Sequence, residues 1–148
     1  MIIQNDLERV RLYTLILARK MRLADWDIRL DPRLSDDGNS ASISCTDGRK
    51  VACLRLGRTF FDDSPVEQRH TIAHELTHIH LWGVMAASQT CKDAMGCAAF
   101  DVFWRNLIYQ LELGVDGMAD AIAPLLPTMA ELEDEDADVL VHEGAIAA

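Results

Sequence analysis

The spacing of apolar residues along this 148-residue chain changes period twice. In NDLERVRLYTLILARKMRL (5–23), Leu7, Val10, Leu12, Leu15, Ile16 and Leu17 recur at helical intervals, and Asn5 or Asp6 stands where an N-cap belongs. In WDIRLD (26–31) the period drops to two: Trp26, Ile28 and Leu30 alternate with charged residues until Pro32 closes the segment. SDDGNS (35–40) is turn chemistry. ASISC (41–45) and VACLRLG (51–57) flank TDGRK (46–50), whose Asp47-Gly48 pair marks a hairpin turn. The pattern predicts three short antiparallel strands after one helix.

Helical spacing then resumes behind a well-marked start. Ser64 stands at an N-cap, Pro65 at the first helical position and Glu67 at the third, which is a capping box. The helix is expected over 65–82, stopping near Gly83, with a loop over 86–97 and a second long helix over 98–123. Pro124 and Pro127 end that helix. The fold class this predicts is α+β: a small antiparallel three-stranded sheet packed against an N-terminal helix and two long helices. One domain over 1–127 would precede a tail over 128–148.

Composition sharpens this picture. The net charge is −10, but residues 131–148 hold seven of the 24 acids and no Lys or Arg, so the body is near neutral and the tail acidic. A clustered positive field for phosphate is absent, which argues against nucleic acid as the partner. No run of about 18 uncharged apolar residues is present, arguing against a membrane span, and MIIQNDLERVRLY has no secretory signal pattern. The cytoplasm is the expected location. Cys45, Cys53, Cys91 and Cys97 form no CxxC pair, so reduced thiols are expected, with a Cys45–Cys53 bridge between neighbouring strands as the lesser alternative.

Four of the five histidines fall between positions 70 and 80. His74 and His78 are one helical turn apart and only about 40° out of register, so both rings can reach one ion. Glu75 between them completes HExxH; it points about 100° round the helix from His74, beside a metal without ligating it, where a general base for a water belongs. His70 extends the stripe backwards, but three ligands from one straight helix would span about 12 Å and drift apart. His70 is therefore read as a surface or supporting residue, and His80 as packed or solvated. A catalytic zinc takes three protein ligands and keeps one position open. The extended motif HExxHxxGxxH is excluded by Leu81 and Val84. In YQLELGVDGMADAIA, Glu112, Asp116 and Asp120 recur at i, i+4, i+8. Glu112 is the candidate third ligand, and Asp116, one turn on, can accept the free ring N–H of a ligating histidine.

With His74, Glu75, His78, Glu112 and Asp116 in this order, the chain resembles the gluzincin group of zinc metallopeptidases, in the small one-domain form found in prokaryotes and their phages. The resemblance covers about residues 1–127. It implies a zincin-like fold, bound Zn²⁺ and endopeptidase activity on a peptide or protein substrate. It also implies that the strand before the active helix, here VACLRLG, lies at the sheet edge and binds the peptide as an added strand. A Tyr or His is expected to stabilise the oxyanion, with Tyr109 the first candidate and His80 the second. Gly114 departs from a good helix sequence by about 1 kcal/mol relative to alanine, which close packing on the first helix would explain. The competing expectations are a zinc-binding regulatory or interaction protein of the same fold without turnover, and a helical interaction domain without metal.

Overall fold

The first helix, α1, occupies Gln4–Lys20 in the computed structural model, which describes residues 4–132. It stops short of residue 23 because Arg22 turns left-handed, with φ 64°. The Leu23 N–H then reaches back to the Ala18 carbonyl at 2.8 Å and the Arg22 N–H to Arg19 at 3.0 Å, a Schellman ending that buries Leu23.

Three strands follow: β1 (Asp27–Leu30), β2 (Ala41–Cys45) and β3 (Val51–Leu56). Their order is β1-β3-β2, with β1 parallel to β3 and β2 antiparallel to it. The sheet is therefore mixed, which corrects the all-antiparallel expectation. Period-two spacing identifies a strand but carries no information on its neighbour's direction. What fixes β1 is non-local. After β1 the chain keeps running beside β3: the Asp31 N–H donates to Leu54 and the Ser35 N–H to Leu56, both at 2.8 Å, and only then does it cross to β2. The turn into β2 brings the Asn39 carbonyl so close to Gly57 that a Cβ there would sit 1.8 Å from the oxygen, so only glycine fits.

β3 is central, and VACLRLG is not an edge. Its alternate residues Ala52, Leu54 and Leu56 are buried in one core with Val10, Tyr13 and Leu17 of α1 and with residues of the next helix. Cys45 stands opposite Ala52 on that same face, while Cys53 points to the other, so no bridge joins them; all four cysteines are free.

Helix α2 covers Pro65–Gln89. Its capping box forms as expected: Ser64 Oγ accepts from the Glu67 N–H at 3.3 Å and Glu67 Oε2 from the Ser64 N–H at 2.8 Å. Ile72, Ala73, Leu76 and Ile79 bury one stripe on the sheet. The helix runs through Gly83, where nothing lies within 4 Å of an added Cβ. A single glycine costs a helix only about 1 kcal/mol, which the strong helix formers around it offset. Most of the expected loop is thus helical: α2 reaches Gln89, a short α3 covers Lys92–Met95, and Gly96 (φ 75°) turns the chain into α4, Cys97–Ile122. Gly114 likewise has open space around it, so close packing does not explain it.

Beyond α4 the chain makes a 3-10 turn at Ala123–Leu125 and crosses α1 and α2. Tyr13 Oη donates to the Pro127 carbonyl at 2.9 Å and Arg69 Nη1 to that of Leu126 at 3.1 Å. Thr128 is held by Glu131, and Leu132 enters the core. Packing therefore continues through residue 132, past the expected boundary at 127; most of the acidic tail, 133–148, lies outside the described residues. Among the described residues no helix is long and apolar enough to cross a membrane.

Candidate metal centre

Antiparallel packing of α4 on α2 turns two separate sequence stripes into a ladder. His78 faces Glu112, His74 faces both Glu112 and Asp116, and His70 faces Asp120, each rung one turn further along both helices. The i, i+4 spacing that aligns the histidines on one helix aligns the carboxylates on the other.

Three donor atoms converge at one rung. His74 Nε2 and His78 Nε2 are 3.1 Å apart, and Glu112 Oε2 is 3.7 Å from the first and 3.5 Å from the second. Bond lengths of about 2.0–2.2 Å in a tetrahedral zinc site put ligand atoms about 3.3 Å apart. The triangle matches that edge, so the chemistry and spacing of this set fit a divalent ion; it is the one such group among the described residues. His74 Nδ1 lies 3.1 Å from Asp116 Oδ1. A proton on Nδ1 donated to this carboxylate leaves the Nε2 lone pair turned to the centre of the triangle. Burial lowers the His78 pKa, favouring the neutral ring that a ligand requires.

Glu75 lines the cleft between α2 and β2 and is not one of the three donors. It is only 7 % exposed, and the Ile43 N–H of β2 lies near enough to act on its carboxyl. Burial, then the nearby Glu112 charge, push its pKa up to about 7 against the pull of that N–H. The carboxyl thus lies near the donor triangle without being one of its three members.

Between α2 and β2 runs a cleft of about 580 Å³. The residues from Asn39 to Ile43, with Cys45, form one wall; α2 from His70 to Met85 forms the other, and Glu112 reaches in from α4. At helical and strand rises both walls extend about 20 Å, enough for roughly six residues of extended chain. Thr46 and Val51, and Ser40 and Gly57, are hydrogen-bonded across the sheet. By alternation the main-chain groups of Ala41, Ile43 and Cys45 face the open edge. The edge strand beside the histidine helix is therefore β2, not VACLRLG. The Cys45 thiol, half-buried in this wall, is pushed by burial up to about 11.

Neither expected oxyanion residue is in the cleft. Tyr109 is 60 % exposed on α4 and lines no part of it, and His80 donates from Nε2 to the Met21 carbonyl at 2.9 Å, on the α1 side. The structure adds residues the sequence reading passed over: Trp82 and Met85 at one end of the cleft, Asn39 and Ser40 on the β2 wall, and Asp120 as the partner of His70. Asp120 was legible as the third member of its stripe; the wall residues carry no local signal. This chain matches no known protein family, no curated protein and no solved structure.

Proposed function

We propose that this protein is a zinc-dependent endopeptidase of the gluzincin kind, cutting an extended segment of a peptide or protein. The observation that carries the reading is the donor triangle of His74, His78 and Glu112 with a buried carboxyl, Glu75, between it and an open strand edge. His74 and His78 would hold zinc through Nε2 and Glu112 through Oε2, while Asp116 orients the His74 ring. Zinc in such a site polarises a carbonyl and makes water acidic enough to attack at neutral pH.

The chain's own groups supply the rest. An extended peptide lying along β2 as an added strand exchanges main-chain hydrogen bonds with Ala41 and Cys45, and the walls of the cleft exclude water from it. A Glu75 carboxylate oxygen takes a proton from the attacking water and delivers it to the leaving amide nitrogen. A Glu75 pKa close to neutrality suits both halves of that transfer, and the ion's charge, once present, favours the ionised form that starts it.

The test uses protein purified without a histidine tag. Wild type should carry one zinc per chain and cleave β-casein. Glu75→Gln should keep the zinc and lose at least about 100-fold in kcat, the scale of general acid–base catalysis. Glu112→Ala should lose both metal and turnover. Full-rate cleavage by Glu75→Gln would sink the mechanism; bound zinc with no cleavage would favour a regulatory protein that kept the fold.

A further inference from the structure

The third rung of the ladder has no part in holding a metal, yet it opens on the cleft. His70 is one of the cleft's lining residues, and its Nε2 lies 2.9 Å from Asp120 Oδ1. It is two turns from His78 and its ring nitrogen is already engaged, so it cannot complete the donor triangle. The two ends of the cleft also differ in kind. Beyond His78, away from His70, the α2 wall is apolar, with Trp82 and Met85; before His74 it is polar, with His70 and Thr71.

From this placement we infer that His70, held by Asp120, is a peptide-binding residue that accepts a main-chain N–H of the bound chain at the polar end of the cleft. The chemistry follows from the tautomer. The Asp120 carboxylate can only accept when ionised, so the neutral ring carries its proton on Nε2. Nδ1 then bears a lone pair and has no hydrogen-bond partner among the described residues. An extended polypeptide presents a main-chain N–H at every non-proline residue, so the ligand class is an unfolded chain rather than a particular side chain. Asp120 acts through His70: it fixes the ring's rotation and its tautomer, and is a positioning residue. The inference rests on the peptide-cleft reading above, but not on turnover.

The experiment uses the full chain, zinc-loaded, with Glu75→Gln as the background so that bound substrate stays uncut. Fluorescein-labelled β-casein, an unfolded chain, is the probe, and fluorescence anisotropy reads its Kd. One neutral hydrogen bond is worth about a fivefold change. His70→Ala should raise Kd by about that factor and Asp120→Ala by less, with zinc content and thermal midpoint unchanged. His70→Asn, whose amide oxygen stands near the Nδ1 position, should restore most of the loss. In the active enzyme the His70→Ala change should appear in KM with kcat nearly unaltered.

An unchanged Kd in His70→Ala overturns the inference, as does failure of His70→Asn to restore binding. Loss of zinc in His70→Ala also overturns it, by making His70 a ligand. Cleavage of β-casein by wild type together with an unchanged Kd removes the His70 assignment alone. Binding that depends on His70 without any cleavage removes the peptidase alone. Absence of binding removes both.

Discussion

Asp31, at the end of β1, is 6 % exposed in its side chain and is gripped by two arginines: Arg33 at 3.1 Å and Arg55, from β3, at 2.7 Å. The Arg33 guanidinium and N–H, then Arg55, hold its carboxyl well below the usual carboxylate range. A depressed folded-state pKa contributes stability that is present above the unfolded value of about 3.9 and is lost as pH falls towards the folded value. Asp31→Asn should therefore lower the urea midpoint at pH 7, and the gap to wild type should narrow as the pH is taken from 5 to 3. A gap independent of pH would mean that shape, not charge, is what Asp31 contributes. At this scale the sequence was readable wherever partners sit within one helix turn: the His74 and His78 rings meet, Nε2 to Nε2 at 3.1 Å, as their i, i+4 spacing implies. It was silent on Asp31–Arg55, whose 24-residue separation only the parallel pairing of β1 and β3 closes.

Among the elements, α1 and α2 misled in opposite directions for one reason. Met21 and Leu23 continue the apolar spacing of α1, yet the helix has ended, because Arg22 adopts a left-handed conformation that normally advertises itself as glycine. Gly83 advertises an end to α2 that does not come. Composition gives a preference worth about 1 kcal/mol at such positions, and the packing of Leu23 into the core, or of α2 against α4, outweighs it. Arg22→Gly should remove the left-handed penalty and, after the greater freedom of glycine in the unfolded chain is offset, raise stability by roughly 0.5–1 kcal/mol in urea unfolding. A loss of stability would show that the Arg22 side chain matters more than its backbone. Where a boundary signal is itself a hydrogen-bonded device, as in the Ser64–Glu67 box, the sequence located it to the residue.

For the whole molecule, the donor triangle links α2 to α4 across the 33 residues of chain between His78 and Glu112. An ion bound only by the folded form stabilises it by about 2.7 kcal/mol at a hundredfold excess over Kd, which is on the order of 10 °C in thermal midpoint for a domain of this size. Zinc should produce that rise in wild type, EDTA should reverse it, and Glu112→Ala should abolish it; a midpoint indifferent to zinc in wild type would leave the triangle as an ordinary helix seam. The sequence by itself determined that three long helices and three strands form and in what order, though not where every helix ends, together with the α+β class, the two histidines with their intervening glutamate, and the acidic stripe one helix later. All of these depend on spacings within a few residues, which the backbone geometry of one element fixes. Only the tertiary structure decided that the sheet is mixed, that β2 rather than β3 lines the cleft, that Tyr109 and His80 stand outside it, and that His70 meets Asp120. Those depend on strand order and on the register of two antiparallel helices, which the burial of α1, α2 and β3 in a shared core sets, and no local period encodes them.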